Sequence, residues 1–290
     1  MRISLFYFTL VSGLLLSQIT FGQWRGIYQD PDSNNQVNGV SFYNNHEGFV
    51  AFDEFAGFTQ DSGHTFIHRP VTLNNVDYNG YTVNLTFGFA PGGIKAFNKD
   101  TLLFYGDYGL EPSILRSENG GLNWKIVYHA DLHAGDMSQQ PIKEIVFPQN
   151  NVVGYAINGD RVLRTIDGGK SWQNSWLGTE QGYNDIDFLD SQTGFLVGAN
   201  SLLKTTNGGN SWLSMSTASS AMRLLSFASN TVGYVIAHRS VYRTNNGGGS
   251  WSAVGLLPAD PTALYFINDS TGFASCKPFG IYKTKNAGKV

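Results

Sequence analysis

The sequence predicts an all-β fold, a β-propeller of four-stranded antiparallel blades, and three observations carry that prediction. One short phrase recurs: TQDSGHTF at 59–66, SENGGLNW at 117–124, TIDGGKSW at 165–172, TTNGGNSW at 205–212 and TNNGGGSW at 244–251, with TKNAGKV from Thr284 as a sixth copy. Its Ser or Thr anchors stand 58, 48, 40, 39 and 40 residues apart, and a period near 40 residues is a propeller signal. A second phrase, an apolar strand followed by a turn and Gly-aromatic, alternates with the first: IDFLDSQTGF at 186–195, LSFASNTVGY at 225–234 and LYFINDSTGF at 264–273, with looser versions at 40–49 and 145–155.

Each unit therefore holds four short strands, and in the fourth unit these fall near 185–189, 194–199, 201–206 and 211–215. Composition agrees. The 290 residues include 34 Gly, 20 Phe, 14 Tyr and 6 Trp, which favours strands and tight turns. No long stretch has an amphipathic helical period.

The first 22 residues stand apart from the repeat. Met1 and Arg2 precede LFYFTLVSGLLL, an apolar run too short to cross a bilayer comfortably, and Thr20 and Gly22 are small residues before a cut at Gln23. Residues 1–22 are read as a secretory signal peptide and 23–290 as a single propeller domain. The product is expected to be secreted, periplasmic or on the cell surface, with no membrane span once the signal is removed. Without Arg2 the chain carries 18 basic and 22 acidic residues, so no nucleic-acid partner is expected. Cys276 is the one cysteine, which rules out an internal disulfide and suits a small buried apolar residue.

The sixth phrase lacks a fourth strand after it, whereas QWRGIY at 23–28 reads as a strand opened by a phrase-ending tryptophan. This N-terminal strand is expected to complete the last blade, giving six blades, or seven if the natural chain runs past Val290. Such closure removes open sheet edges.

The repeated phrase resembles the Asp-box, or BNR, repeat, Ser/Thr-x-Asp-x-Gly-x-Thr/Ser-Trp/Phe. Thr59, Asp61, Gly63, Thr65 and Phe66 match in full, as do Thr165, Asp167, Gly169, Ser171 and Trp172. The others put Asn in the Asp position: Ser117, Asn119, Gly121 and Trp124; Thr205, Asn207, Gly209 and Trp212; Thr244, Asn246, Gly248 and Trp251; Thr284, Asn286 and Gly288. With its regular spacing, the chain looks most like photosystem II stability/assembly factor-like proteins, and more distantly like sialidase and sortilin-type propellers. The resemblance implies a propeller, and the assembly role of that group implies a protein client.

Physically, the box is expected to shape the turn between third and fourth strands. Asp or Asn accepts backbone N–H bonds just downstream, the glycines take positive φ, and the aromatic opens the fourth strand. Many like copies of one carboxylate or amide make a poor catalytic design, because catalysis needs unlike groups converging on one point. Calcium at these turns would find too few oxygens. The residue before the anchor is also periodic: Arg116, Arg164, Lys204, Arg243 and Lys283, with Phe58 in the first repeat. It reads as a solvated strand end whose long stem covers apolar surface, or else as a basic rim for an acidic partner.

Departures from a repeat carry its recognition. The long ones are 67–93, 105–113, 129–141 and 177–184, and in an up-and-down blade all emerge on the face opposite the boxes. They contain Tyr78, Tyr81, Tyr108, Glu111, His129, Asp131, His133, Asp136, Glu180 and Tyr183, the candidate ligand face. Tyrosines beside carboxylates suit a protein or carbohydrate ligand. In HADLHAGD at 129–136 an extended backbone would align His129, Asp131 and His133, a possible zinc set; solvated loop histidines are the plainer reading, and neither metal nor cofactor is expected.

Two functions compete: a non-catalytic binding or assembly scaffold, and a glycoside hydrolase of sialidase-like or related type. Sialidases need an arginine triad, a Tyr nucleophile and a Glu partner. Here Arg116, Arg164 and Arg243 occupy equivalent rim positions, and the early Arg-Ile-Pro signature is absent. Asp107, Glu111, Asp131 and Asp136 share a face, but nothing in the sequence pairs them. No catalytic residue is assigned, and the scaffold reading is preferred.

Overall fold

A computed structural model of the chain describes residues 37–52, 55–78, 81–86, 90–108, 111–130, 141–148, 150–177, 182–215, 219–277 and 280–289. Among them there is no helix. Blade 1 consists of β1 (Val37–Phe42), β2 (Gly48–Phe52), β3 (Phe55–Thr59) and β4 (Ile67–Pro70). A two-stranded hairpin follows, β5 (Thr72–Tyr78) with β6 (Tyr81–Thr86). Blade 2 is β7 (Ala90–Ala96), β8 (Leu102–Tyr108), β9 (Glu111–Ser117) and β10 (Lys125–His129). Blade 3 is β11 (Ile142–Val146), β12 (Gly154–Asn158), β13 (Arg161–Thr165) and β14 (Gln173–Leu177). Blade 4 comprises β15 (Tyr183–Phe188), β16 (Gly194–Gly198), β17 (Leu202–Thr205) and β18 (Leu213–Ser214). Blade 5 comprises β19 (Met222–Phe227), β20 (Gly233–Ala237), β21 (Ser240–Thr244) and β22 (Ser252–Leu256), and blade 6 β23 (Asp260–Phe266), β24 (Gly272–Lys277) and β25 (Gly280–Thr284).

Every sheet is antiparallel and follows chain order, so this is a six-bladed propeller. Residues 1–22, and the strand at 23–28 expected to complete blade 6, lie outside the described residues.

The burial pattern follows from this stacking. The second strands GFVAF, GYAIN, GFLVG and GYVIA are buried at every position, because a neighbouring blade covers each face. Fourth strands lie at the rim, and β18 and most of β4 are exposed. The core is five separate clusters, each filling one joint between consecutive blades. First strands ring the axis: β1 packs on β7, β7 on β11, β11 on β15, β15 on β19 and β19 on β23. Among the described residues β23 makes no comparable packing with β1.

All six first strands bulge at the same place, between Val37 and Gly39, Pro91 and Gly93, Ile142 and Glu144, Tyr183 and Asp185, Met222 and Leu224, and Pro261 and Ala263. A bulge leaves one residue out of the ladder and bends the strand. In blades 3 and 4 that residue reaches the next first strand: Lys143 Nζ donates 3.0 Å to the Tyr183 carbonyl, and Asn184 Nδ2 donates 2.9 Å to the Met222 carbonyl.

One expected insertion is not a loop. Residues 105–113 extend β8 and β9, which stay paired as far as Tyr108 and Glu111, because alternating apolar residues such as Ile114 and Tyr105 remain in the joint with blade 3.

Candidate functional site

The glycine turns come first, because they fix which face of the ring is which. In each box the anchor hydroxyl donates to the Asp or Asn Oδ1, at 2.8 Å from Thr59 to Asp61 and 2.9 Å from Thr244 to Asn246. The same hydroxyl accepts the N–H of the box glycine, 2.9 Å from Gly169 and 3.0 Å from Gly209. Oδ1 also accepts the N–H four residues on, from Thr65, Asn123, Ser171, Ser211 and Ser250. Two successive left-handed residues make this geometry possible: Gly168 and Gly169 lie at φ 73 and 78, and Ser62 and Ala287 accept the same strain at φ 62 and 64.

Two of the Asn copies, at Asn207 and Asn246, keep the turn by reversing one bond. Asp167 Oδ2 accepts from Ser171 Oγ at 2.6 Å, whereas Asn207 Nδ2 donates to Ser211 Oγ at 2.8 Å. Burial alone would raise the Asp167 carboxyl; the hydrogen bonds from Ser171, Thr165 and Lys170 outweigh it and hold the group down at about 2. Asp61 is held below its usual range, chiefly by Thr65. The box oxygens thus serve the turn itself.

Each box also bonds to the turn between the first and second strands of its own blade. Ser62 N–H donates to His46 O, and Gly120, Gly168, Gly208, Gly247 and Ala287 donate to Asp100, Val152, Gln192, Thr231 and Ser270 in the same way. These two turn types therefore share one face, as expected, and second-to-third hairpins and blade-to-blade connections emerge on the other.

In blades 2 and 4 the residue before the anchor is neither a free rim nor merely a solvated stem. Arg116 is 6 % exposed and its Nη1 donates 2.6 Å to the Gly168 carbonyl in the next blade's box. Lys204 Nζ lies 5.1 Å from the Phe195 ring centroid and donates 2.8 Å to the Gly247 carbonyl. Where the first repeat has Phe58, Arg69 on β4 covers that ring at 4.4 Å and donates to the Gly120 carbonyl. Tyr155 performs the role with its own hydroxyl, donating 3.1 Å to the Gly208 carbonyl. These side chains are latches from one blade to the next.

The aromatic of each Gly-aromatic pair forms the same joints. Tyr155 stacks on Phe188 at 3.8 Å and 6°, and Phe195 on Phe227 at 3.9 Å and 14°. The box tryptophan then meets the first-strand Phe edge-on, as Trp212 does Phe188 and Trp251 does Phe227. These aromatic rings therefore line the joints between blades.

On the opposite face two hairpins project. Tyr78 pairs with Tyr81 where β5 meets β6, and Tyr108 with Glu111 where β8 meets β9. The root of the first hairpin is anchored by Val71 and Leu73, buried in the joint between blades 1 and 2. His129 ends β10 opposite Ser113 and is half-buried. Asp131, His133, Asp136 and Glu180 lie outside the described residues. Tyr183 does not belong to an exposed face: it opens β15, 1 % exposed, and packs with Ile157 and Val162 between blades 3 and 4. The apolar joint claims its ring.

Polar residues around the axis were not singled out from the sequence. Glu144 on β11 lies near Lys95 on β7 and Asp187 on β15, and Asp185 on β15 lies near Glu144 and Asp187. Burial pushes Glu144 up to about 7, with Asp187 adding to the rise and Lys95 opposing it. Burial likewise raises Asp187 to about 6 and moves Asp185 well upward. Both aspartates accept backbone N–H groups from blade 5, Asp185 from Leu225 at 2.9 Å and Asp187 from Phe227 at 2.8 Å. Ser226 repeats this contact toward Phe266 and Ser41 toward Ala96. The only sequence signal was the acidic alternation within YNDIDF, visible once the bulge is known.

Residues 165–290 match the family model for the photosynthesis system II assembly factor YCF48. No curated protein matches the chain in sequence. Among solved structures it is similar to YCF48 bound to D1 peptide, at TM-score 0.63 and 15% identity, covering 91% of this chain and 80% of that one. It is also similar to YCF48 from Cyanidioschyzon merolae, at TM-score 0.57 and 15% identity, covering 88% and 97%. An ancestral GH74 enzyme superposes at TM-score 0.62 and 18% identity, covering 86% of this chain but 36% of the enzyme. At these identities the superpositions establish the fold alone. The chain is a six-bladed β-propeller similar to the photosystem II assembly factor-like proteins, and residues 165–290 carry that likeness in sequence.

Proposed function

We propose that this chain is an exported, non-catalytic scaffold that binds a protein segment on the face opposite its Asp-box turns. The observation that carries the reading is the pair of hairpins on that face, ending in Tyr78–Tyr81 and Tyr108–Glu111, in a ring otherwise built from near-identical blades. Similarity to a propeller solved with a peptide bound favours a protein ligand over a carbohydrate. The apolar run after Arg2 supports export.

The test pairs a peptide library with a glycan array, using the intact chain and variants Tyr78→Ala/Tyr81→Ala, Tyr108→Ala and a trimmed 129–141. Peptide binding lost in these variants, with circular dichroism unchanged, is the expected result. Binding unchanged in all three would place the ligand on another face.

One observation favours a second reading, glycoside hydrolysis. Asp107, near the tip of β8, has a buried Oδ1 with no hydrogen-bond partner among the described residues, and burial raises its carboxyl, as a general acid requires. Turnover of a β-glucan panel that disappears in Asp107→Asn would establish it.

A further inference from the structure

The rim of the propeller is protected against strand addition, and the projecting β5–β6 hairpin is not. A fourth strand is the open edge of its blade, and each described one is blunted. β4 ends in Arg69 and Pro70, and β18 is two residues long. β10, β14 and β22 each bulge, because Val127, Ser175 and Val254 fall out of the ladder. β6, YTVNLT, has none of these devices: it is six residues long, with no charged residue and no proline. The extra residue of the hairpin's own bulge lies on β5, where Asn74 and Asn75 stand against Asn84 alone, so β6 runs unbroken.

The hairpin is held through β5. Val71 and Leu73 at its root are buried between blades 1 and 2, and the strand packs on β10. β6 pairs with β5 along one edge, and among the described residues no strand pairs with the other. Register identifies the groups on that outer edge. Tyr78 and Tyr81 pair across a two-residue connection, which makes them a hydrogen-bonded pair. Tyr81, Val83 and Leu85 therefore bond toward β5, and the N–H and C=O groups of Thr82 and Asn84 point outward. A two-stranded sheet is marginal by itself, and a third strand completes it.

We propose that the protein segment bound on this face adds to β6 as an extended strand, its backbone bonding to the Thr82 and Asn84 N–H and C=O groups. This rests on the function proposed above and specifies how the ligand is held. Main-chain bonds supply the affinity, and alternate side chains of the partner supply the specificity. The fitting partner is an unfolded or terminal segment rich in β-branched and aromatic residues and free of proline.

The test uses the full chain and synthetic peptides of about ten residues retained from the peptide library. Thr82→Pro and Asn84→Pro each remove one outward N–H and leave the bonds to β5 in place, so melting temperature is expected to change little. Each is expected to weaken peptide binding about tenfold or more. Thr82→Ala and Asn84→Ala keep the N–H groups and are expected to bind like the parent. Peptides N-methylated at alternate residues test the same bonds on the unaltered chain, and one of the two alternating sets is expected to lose binding. Hydrogen exchange gives a further readout: the Thr82 and Asn84 amides exchange rapidly in the free chain and become protected with peptide. Proline variants and N-methylated peptides that bind like their parents overturn the strand addition and leave the ligand face intact. Protection of both amides in the free chain also overturns it, assigning the edge to a second copy if protection grows with concentration and to another segment of the chain if it does not. If no library peptide binds the intact chain, the function proposed above fails and this inference falls with it.

Discussion

The rings of Tyr234 and Phe266 lie parallel, 3.4 Å between centroids and 3° between planes, and the Tyr234 hydroxyl donates 2.6 Å to the Asp269 carbonyl. One side chain on blade 5 thus makes an apolar and a polar contact with blade 6. Tyr234→Phe keeps the stack and removes the bond, at an expected cost of about 1 kcal/mol. Tyr234→Ala also opens a cavity and costs about 3–5 kcal/mol. Urea denaturation of both variants separates the two contributions.

Asp167 and Asn246 bond to the same hydroxyl position with opposite polarity, Asp167 accepting from Ser171 and Asn246 donating to Ser250. Asp167→Asn should therefore be tolerated, with a midpoint close to the parent at neutral pH. Asp167→Ala leaves the Lys170 and Ser171 amides without an acceptor and costs about 1–3 kcal/mol. Because the folded carboxyl lies below its unfolded value, at about 2, its stabilisation is present above the ordinary aspartate range and fades as pH falls through 2. The Asn variant removes that acid-sensitive part.

Gly233 is required by a neighbour and not by its own φ. A Cβ there would lie 2.5 Å from the Phe227 ring, which is itself held between Phe195 and Trp251. Gly233→Ala should cost about 1–3 kcal/mol by overpacking. Gly233→Ala/Phe227→Leu should recover part of that loss, and a double-mutant cycle checks the coupling.

Glu144 gives a pH dependence of the opposite sign. Its folded value is raised to about 7, so the stabilisation of its protonated form is fully present below the unfolded glutamate value and is lost as pH rises through 7. Glu144→Gln should raise the melting temperature at pH 8 and change it little at pH 4.5. Asp187, raised to about 6, contributes with the same sign, so Glu144→Gln/Asp187→Asn should flatten the profile further.

Much of the fold was legible because a propeller blade is specified locally. The Asp-box sets a turn through bonds spanning four residues, and its spacing reports blade size. Second strands announced themselves as unbroken apolar runs such as GFLVG. The first-strand bulge was not legible, since inserting one residue changes register without changing composition. Lys143, Asn184 and the axial carboxylates stayed hidden for that reason. The rim reading of Arg116 and Lys204 failed differently: their partners are carbonyls on another blade, 52 and 43 residues away.

By itself the sequence determined the turn chemistry, the four-strand unit and the face on which its irregularities emerge, because each depends on hydrogen bonds and spacing within a single unit. Only the tertiary structure decided what lies between units: the Tyr155–Phe188 and Tyr234–Phe266 stacks, the cation-to-carbonyl latches, the burial of Tyr183 and the carboxylates around the axis. Those depend on the angle and register at which one twisted sheet meets the next, and a repeat of about 40 residues states that a neighbour exists without stating which atoms it offers.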